Sequence, residues 1–320
     1  MQVFITGGTG HSGSHIIPEL VAAGHRVTGL ARSDASAAAL SALGADVRRG
    51  SLDDVDTLRE AAARSDGVIH VAGRGELLPR GGIDAVAEAE LATIRTFGEA
   101  LAGTGKPLVV AGSIASPTLP APGEVHRPAA RPATEEDPAL PGGPNFARTM
   151  RVRNLVDTTV IGLAEEGVRS AIVRLPPIAH STTDTTGFLV QLIAIAKRSG
   201  VVGYPGDGSN LWPSVHMRDA ASLFRLALEK GDAGRYWHAV HDEGIPVREI
   251  AEAIASRLNL PAVSIPADVL MLPGYFGVLA NLITLDLPAS NASTRDLLGW
   301  EPVEAGLLDD LDNGHYFAAA

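Results

Sequence analysis

The chain has 320 residues, of which 45% are hydrophobic and 20% are charged, as in a globular protein that buries a sizeable core. Its formal net charge of −11 argues against a nucleic-acid partner, because such proteins need clustered Lys and Arg to displace counterions from phosphates. The absence of cysteine excludes disulfides, thiolate metal ligands and a cysteine nucleophile, and it suits a reducing cytoplasm. Because residues 1–6 already have the pattern of a core strand, we expect no signal peptide.

Strand-like and helix-like segments alternate from the first residue. The apolar patterns predict strands at 3–5, 25–30, 46–48, 67–71, 107–110 and 170–175, and helices at 16–21, 35–43, 85–101 and 151–166. Repeated βα units of this length imply an α/β fold with a doubly wound, parallel Rossmann sheet covered by helices on both faces. After Pro177 the pattern becomes irregular, with helices predicted near 188–197 and 247–258. We expect this second part to form a smaller C-terminal lobe on the substrate side.

Two segments break the rhythm of the chain. Residues 117–144 carry eight prolines, which predicts either a functional lid or a disordered excursion beside the fifth strand. Residues 269–283 are strongly apolar but too short and too interrupted by Pro and Gly to span a bilayer. We expect that second segment to be a lid or a packing surface, and we expect no membrane partner.

A glycine-rich motif lies between the first predicted strand and the first predicted helix. It reads Thr6-Gly7-Gly8-Thr9-Gly10-His11-Ser12-Gly13. Glycines let a backbone approach a pyrophosphate, whose charge is then held by N–H groups and by the dipole at the helix start. The alternative is a tight turn whose glycines serve packing alone. Since the motif stands between a strand and a helix, it predicts dinucleotide binding.

The end of the second predicted strand indicates which dinucleotide is bound. A protein that binds NAD usually places a carboxylate there to accept from the ribose hydroxyls. Here the run is Leu30-Ala31-Arg32-Ser33, and both Arg32 and Ser33 can donate to a 2′-phosphate. Asp34 follows directly, and a solvated surface arginine is the other interpretation of Arg32. We expect the cofactor to be NADP(H).

Two later strand ends complete the expected cofactor site. Leu52 and Asp53 could hold the adenine amino group, although Asp53 is also a good helix N-cap residue. Val71, Ala72 and Gly73 would pass beside the nicotinamide ribose.

These motifs together resemble the extended, atypical short-chain dehydrogenase/reductase family, which includes the NAD-dependent epimerases and dehydratases. The resemblance covers nearly the whole length and is carried by residues 6–13, 71–73, 112–113, 174–177, 206–208 and 215–220. It implies a Rossmann domain over residues 1–177, onto which 213–241 fold back, and a substrate lobe built from 178–212 and 242–320. It also implies a catalytic serine, which maps to Ser113. Further cofactor contacts are implied at Leu175, Pro176 and Ile178.

The chain departs from this family at the Tyr-x-x-x-Lys pair that normally follows the fifth strand. Family spacing counted back from Arg174 places Thr149 at the tyrosine position and Arg153 at the lysine position. A threonine hydroxyl is too weak an acid to replace a phenol, but it can pass a proton as one member of a chain. Arginine can bind the ribose or a developing oxyanion, but it is not an ordinary proton donor.

The loss of a positioned general acid costs on the order of 10²–10⁴ in rate. Hydride transfer therefore remains open to this chain if orientation and an oxyanion site are kept. Conjugated carbonyls, quinones and imines become the preferred acceptors, because they need little acid assistance.

The substrate lobe offers candidates for a substitute acid and for the pocket wall. The candidate acids are Tyr204, His180, His216 and Tyr275, each of which could instead serve packing alone. The candidate substrate residues are Ser113, His180, Phe188, Tyr204 and Trp212. We expect no metal, because a separation of three places His238 and His241 on opposite faces of a strand.

The sequence thus predicts a cytoplasmic, NADPH-dependent reductase that acts on an activated small-molecule acceptor. Ser113 would hold the acceptor oxygen, Arg153 would orient the ribose, and Thr149 would relay a proton or simply pack. Two alternatives stay open: a sugar-nucleotide-type epimerase or dehydratase with a retained cofactor, and a non-catalytic NADP(H) sensor. The resemblance also suggests a homodimer.

Overall fold

The computed structural model describes residues 1–74, 77–117, 131–139, 148–266, 269 and 280–317. Within those ranges, the side chains of 78–84, 87, 148–153, 280 and 281 lie outside the description. The strands are β1 (Gln2–Thr6), β2 (Arg26–Ala31), β3 (Asp46–Arg49), β4 (Gly67–His70), β5 (Pro107–Ser113), β6 (Arg169–Leu175), β7 (Ile178–His180), β8 (Val202–Pro205), β9 (Leu211–His216), β10 (Arg235–His238), β11 (Asp242–Pro246) and β12 (Ala262–Ile265).

The helices of the described residues follow the strands in regular alternation over the first half of the chain. They are α1 (His11–Ala22), α2 (Asp34–Ala42), α3 (Val55–Arg64), α4 (Leu78–Leu101), α5 (Arg148–Gly162), α6 (Phe188–Ser199), α7 (Met217–Lys230), α8 (Val247–Leu258), α9 (Ala280–Ile283), α10 (Ala292–Leu298) and α11 (Leu307–Asp312). Short 3₁₀ turns lie at Leu163–Glu166 and His315–Phe317.

Seven strands form one parallel sheet in the order β10-β6-β5-β4-β1-β2-β3. The predicted α/β fold with a doubly wound parallel sheet is therefore confirmed. The order reverses at β1, which pairs with β2 on one side and with β4 on the other. In sheets of this kind, ligands bind outside the carboxyl ends of the strands at that reversal.

The two faces of the sheet explain why its strands are continuous apolar runs. In β1, Val3 and Ile5 pack into a core shared with α1 and α7, whereas Phe4 packs into a core shared with α3, α4 and α5. Because successive side chains of a strand point to opposite faces, a strand covered by helices on both sides must be apolar throughout. α7 covers the first face and β10 adds the last strand of the sheet.

A second core forms around α6, α8 and α11. It contains a three-stranded sheet in the order β11-β9-β7 and a two-stranded pair of β12 with β8. Most of the apolar segment at 269–283, including Tyr275, lies outside the described residues. No helix in the described part of the chain is long and apolar enough to cross a membrane.

Part of the proline-rich segment is well packed. Residues 131–139 are described, and Ala133 forms an isolated β-bridge with Ala289. Arg131 bonds the Asp137 carboxylate and lowers the pKa of that group to about 2. Residues 131–139 are therefore no disordered excursion, and the lid prediction stays open because 118–130 and 140–147 lie outside the described residues.

Candidate cofactor and active site

The glycine-rich loop leaves β1 at Thr6 and is pressed against the end of β4. Gly7 has φ +78°, and a Cβ added there would lie 2.6 Å from the backbone nitrogen of Ala72. A Cβ on Gly13 would lie 2.2 Å from the carbonyl oxygen of Gly7. Both distances are far below contact, so only glycine allows this path of the backbone.

The same loop leaves the start of α1 open to an anion. Gly10 is the N-cap, no side chain caps the helix, and its first turn carries no acidic residue. The first amide N–H groups of a helix have no partner inside the helix, and the helix dipole favours negative charge at that end. The residues present therefore fit the pyrophosphate of a dinucleotide.

His11 connects this loop to the C-terminal lobe. Its Nε2 lies 2.8 Å from Oγ of Ser181, directly after β7. The N–H of Ser181 donates to the hydroxyl oxygen of Tyr316 at 3.0 Å. Burial is the largest cause of the lowered pKa of His11, with Asp184 acting against it and His15 and His180 adding to it. At neutral pH, His11 is thus a neutral imidazole that joins the two parts of the site.

The end of β2 presents the residues expected to select the cofactor. Arg32 is exposed, and it forms no ion pair or side-chain hydrogen bond with the described residues. Ser33 is the N-cap of α2, and its side chain accepts from the N–H of Ser36 in a capping box. Asp34 forms an ion pair with Arg49, at the end of β3. The cation expected beside the ribose is therefore available, whereas Ser33 already has a structural role.

Asp53 has a partner that the sequence did not reveal. Its Oδ1 accepts from Nη2 of Arg74 at 2.7 Å, although the Arg74 side chain is only 5% exposed. Asp53 does not cap the next helix, because the N-cap of α3 is Asp54. Leu52 is half-buried and packs against the core on the α3 side of the sheet.

The ends of β4 and β5 enclose a cavity of about 90 Å³. Its wall includes Val71, Ala72 and Gly73, the segment expected beside the nicotinamide ribose, together with Val156 of α5. The buried side chains of His70 and Glu90 also line it, and Nδ1 of His70 lies 2.6 Å from Oγ1 of Thr6. A cavity of this size with polar side chains on its wall has room for several waters.

Ser113 is the last residue of β5 and is half-buried. It lies opposite Leu175 of β6, so the two residues share one edge of the sheet. Its Oγ accepts from the N–H of Ala115 at 3.2 Å. Since the hydroxyl accepts one bond from the backbone, its own hydrogen remains available to an acceptor oxygen.

Thr149 and Arg153 lie on α5, and their side chains lie outside the described part of the structure. Thr149 is two helical turns before Val156, which lines the cavity described above. The helix itself, RTMRVRNLVDTTVIG, contains neither tyrosine nor lysine. α5 therefore offers neither residue of the Tyr-x-x-x-Lys pair that the resemblance implies.

The residues after β6 are placed at the same edge. Leu175 is half-buried, whereas Pro176 and Ile178 are buried. His180 is fully buried, and its Nδ1 donates to Oδ2 of Asp310 at 2.7 Å. Burial acts to raise the pKa of Asp310, but the hydrogen bond and charge of His180 lower it overall. His180 is thus held in one orientation next to His216, with the two rings 5.3 Å apart.

The other expected substrate residues are divided between core and surface. Trp212 is 1% exposed and meets Phe188 edge-on at 5.7 Å between ring centroids, inside the core of the C-terminal lobe. Tyr204 is half-buried, and the guanidinium of Arg248 lies 5.9 Å from its ring. Among the described residues, no three His, Asp or Glu side chains come together as a metal site.

Sequence reasoning missed several polar residues of this edge. They are Arg49, His70, Arg74, Glu90, Ser181, Asp310 and Tyr316. Some had a visible local signal, since Arg49, His70 and Arg74 stand at or just after the ends of predicted strands. Glu90 lies inside a helix, Ser181 follows the short strand β7, and Asp310 and Tyr316 come from the far end of the chain, so no local pattern marks them.

The fold is shared with solved sugar-nucleotide enzymes. UDP-glucose 4-epimerase of Thermotoga maritima, solved with UDP-glucose, superposes with a TM-score of 0.73 at 18% identity and covers 99% of this chain and 98% of its own. The dTDP-glucose 4,6-dehydratase DesIV of Streptomyces venezuelae, solved with NAD, gives a TM-score of 0.73 at 19% identity, with 98% and 96% covered.

Sequence relatives extend the comparison. An uncharacterized protein of Schizosaccharomyces pombe is 38% identical over 317 residues, which are 99% of this chain and 100% of the relative. Sterol-4-alpha-carboxylate 3-dehydrogenase, decarboxylating, of Dictyostelium discoideum is 29% identical over 78% of this chain and 74% of its own. A ketoreductase of Stigmatella aurantiaca, which acts on a farnesyl dihydroquinoline oxide, is 29% identical over 77% of this chain and 70% of its own.

The family resemblance seen in the motifs is confirmed over most of the chain. Residues 3–239 match the NAD dependent epimerase/dehydratase family. This span begins in β1 and ends just after β10, so it contains the whole seven-stranded sheet. The chain belongs to the NAD dependent epimerase/dehydratase family.

Proposed function

We propose that this protein is an NADP(H)-dependent reductase that transfers hydride to an activated carbonyl, conjugated or imine-type small molecule. The observation that carries the proposal is the chemistry at the ends of β2 and β5. Arg32, a cation without an ion pair to the described side chains, stands where NAD-binding proteins usually place an acid, and Ser113 offers a hydroxyl hydrogen at the edge of the sheet. Two of the relatives named above are a dehydrogenase and a ketoreductase, which supports redox chemistry.

NADPH, when bound, supplies the hydride. The chain's own residues would do the rest: the uncapped start of α1 holds the pyrophosphate, and Arg32 meets the 2′-phosphate. Ser113 would donate to the acceptor oxygen and so stabilise the negative charge that develops there. Arg153 would orient the ribose, and Thr149 would pass a proton or pack. We also propose that Leu52, Asp53, Val71, Ala72, Gly73, Leu175, Pro176 and Ile178 line the cofactor.

The acceptor would bind between the seven-stranded sheet and the lobe formed by residues 178–212 and 242–320. Phe188 and Tyr204 are its proposed contacts from that lobe, because both side chains are only partly buried. His180 and Trp212 would shape the pocket from behind, since both are buried. We further propose that the protein is cytoplasmic and forms a homodimer, and light scattering of the purified protein would test the dimer.

NADPH oxidation against a panel of ketones, quinones, enones and imines tests the proposal. We expect turnover with at least one activated class, and a loss of about 10²-fold in Ser113→Ala, because one oxyanion donor is removed. Thr149→Val and Arg153→Ala should also lower turnover. Thr158→Val is the matched control, because Thr158 lies on α5 and is exposed.

Other outcomes would support the alternatives. Nucleotide that copurifies with the protein, with no net NADPH consumption, would indicate an epimerase or dehydratase. Binding that discriminates NADP⁺ from NADPH without turnover of any acceptor would indicate a sensor. A simple ketone reduced as fast as the activated acceptors would contradict the proposed preference.

A further inference from the structure

The ends of β2 and β3 bring a second arginine to the expected phosphate position. In the register of these strands Ala31 pairs with Arg49, and the N–H of Gly50 donates to the carbonyl oxygen of Ala31 at 3.1 Å. Arg32 follows Ala31 directly. Arg32 and Arg49 are therefore neighbours across the carboxyl edge of the sheet, although 17 positions separate them in the chain.

The two arginines differ in what they contact. Arg32 forms no ion pair with the described side chains, whereas Nη2 of Arg49 bonds Oδ1 of Asp34 in the first turn of α2. The Arg49 side chain is 53% exposed and that of Asp34 is 98% exposed, so the pair lies open to solvent. A guanidinium has five N–H donors, and the bond to Asp34 uses only one nitrogen of Arg49. The remaining donors of Arg49 can therefore face a ligand.

The start of α2 is not itself the anion site. Its Ser33 cap already accepts from the N–H of Ser36, and Ser36 returns the bond by accepting from the N–H of Ser33. The charged donors left at this edge are thus the guanidinium groups, which can hold a phosphate through two parallel N–H···O bonds.

We infer that Arg49 is the second ligand of the 2′-phosphate and that its ion pair with Asp34 makes this edge compatible with NADP(H). The inference rests on the proposed NADP(H) function. Asp34 alone would repel a phosphate placed beside Arg32, since like charges at close range oppose binding. Arg49 compensates that charge and adds its own. Asp34 in turn holds the guanidinium next to Arg32.

Equilibrium binding of the purified protein tests this inference without any substrate. The probes are NADPH, NADH, 2′,5′-ADP and 5′-AMP, with affinities taken from nucleotide fluorescence and calorimetry. We expect Arg49→Gln to lower the affinity for NADPH and 2′,5′-ADP by about tenfold. This is the low end of the effect of losing a charge-assisted hydrogen bond at an exposed site. NADH and 5′-AMP should keep their affinity, which also shows that the variant is folded.

Arg48→Gln is the matched control. Arg48 precedes Arg49 on β3, pairs with Glu60 at 3.1 Å, and points to the opposite face of the sheet. The Arg48→Gln variant should bind all four probes with the affinity of the native protein. The double variant Asp34→Asn with Arg49→Gln should recover part of the lost NADPH affinity, because the uncompensated carboxylate is then gone.

Each remaining outcome overturns a different statement. If Arg32→Gln lowers the affinity for NADPH but not for NADH, and Arg49→Gln changes neither, Arg49 is only a surface partner of Asp34. The inference then fails, whereas the NADP(H) proposal stands. If Asp34→Asn weakens NADH, and the native protein prefers NADH to NADPH, Asp34 binds the ribose hydroxyls, and the inference falls together with the NADP(H) assignment. If binding follows the expected pattern but no acceptor is reduced, the inference stands and the reductase proposal fails.

Discussion

Two polar regions of this molecule use similar residues in opposite ways. The cofactor edge, defined by the ends of β1, β2 and β4, leaves the first amides of α1 without a side-chain cap and Arg32 exposed, with no ion pair among the residues that the structure describes. The buried polar cluster, defined as Glu135, Arg174, His238 and Thr294, has every member inside the protein. The comparison shows that residue type alone does not distinguish the two roles. Exposed polar groups are available to bind a ligand, whereas buried and hydrogen-bonded groups stabilise the fold.

The buried polar cluster also shows how a protein keeps a charged side chain inside. Arg174 donates to the carbonyl oxygen of Asp137 at 2.8 Å, and its guanidinium lies 3.5 Å from the ring centroid of Tyr236. His238 donates from Nδ1 to the carbonyl oxygen of Ser290 at 2.8 Å, so Nε2 carries no hydrogen where it faces Arg174. A neutral imidazole beside a cation avoids the repulsion that two buried positive charges would cause.

Among the substitutions, the largest effect is expected at the cofactor edge, from Gly13→Ala. The new Cβ would lie 2.2 Å from the Gly7 carbonyl, so the loop must move. We expect the free energy of unfolding to fall by about 3 kcal/mol, as for an overpacked site, and NADPH binding to be lost with the loop geometry. Denaturant unfolding and nucleotide fluorescence measure the two effects.

Gly24→Ala is the control for that change. Gly24 has φ +83°, but an added Cβ would meet nothing within 4 Å. The free energy of unfolding should therefore fall by about 1–2 kcal/mol through the backbone conformation alone, and the NADPH affinity should be unchanged. Equal losses of affinity in both variants would show that the loop does not hold the cofactor.

The next largest effect is expected in the buried polar cluster, from Glu135→Ala. Oε1 of Glu135 accepts from both the N–H and the hydroxyl of Thr294, each at 2.7 Å. Removing the carboxylate leaves those donors unpaired inside the protein, at a cost of about 2 kcal/mol of unfolding free energy. NADPH affinity should not change.

The neighbouring Glu136 provides the comparison for Glu135. It pairs with Arg235 at 2.8 Å, but its side chain is 69% exposed. Glu136→Ala should lower the free energy of unfolding by less than about 1 kcal/mol, because exposed ion pairs contribute little stability. If chemical denaturation gives the two variants the same stability, burial does not decide the strength of this contact.

These two regions were not equally visible in the sequence. The first six predicted strands and the helices at 35–43 and 247–258 are confirmed, because continuous apolar runs and helical periodicity are local signals. Their ends agree within a residue or two, except that β5 continues three residues beyond its predicted end. α3 was not predicted, and neither were the short strands β7, β8, β9, β11 and β12, whose pairing is set by tertiary contacts. The glycine loop and Ser113 also follow from local motifs.

The contacts between distant residues could not be predicted in the same way. Arg49 meets Asp34 because β2 and β3 are neighbours in a particular register, and Tyr316 reaches Ser181 across 135 positions of the chain. The buried polar cluster joins Glu135 to Thr294 across 159 positions. No periodicity encodes such pairings, so local motifs could suggest candidate site residues but not the contacts that support them.

Acid should destabilise the protein through its buried histidines. Burial is the main cause that lowers the pKa of His216 to about 4 and that of His238 to about 3. In the unfolded chain both groups titrate near the ordinary value of about 6.5, so only the unfolded state takes up these protons between those limits. Their neutral forms therefore contribute fully to the free energy of unfolding above about pH 6.5. That contribution is lost as the pH falls toward 4 for His216 and toward 3 for His238, by about 1.4 kcal/mol per pH unit for each imidazole.

Denaturant unfolding between pH 7 and pH 4 would measure that slope. His216→Asn is the informative variant, because Nδ1 of His216 accepts from the N–H of Arg218 at the start of α7, and asparagine is also a good N-cap residue. The variant should keep the helix cap, and its unfolding should take up one proton fewer, so the free energy of unfolding should depend less steeply on pH. An unchanged slope would mean that His216 takes up its proton in the folded protein over the same pH range as in the unfolded chain.

The smallest effect separates the structural and ligand-binding roles of neighbouring residues at the cofactor edge. Ser33 and Ser36 form the two halves of the capping box of α2, so Ser36→Ala and Ser33→Ala should each cost about 1 kcal/mol or less of unfolding free energy. If Ser33 also donates to a 2′-phosphate, Ser33→Ala alone should weaken NADPH relative to NADH. Should both variants bind the two nucleotides like the native protein, Ser33 belongs with the structural groups, and the guanidinium groups of Arg32 and Arg49 carry the phosphate specificity.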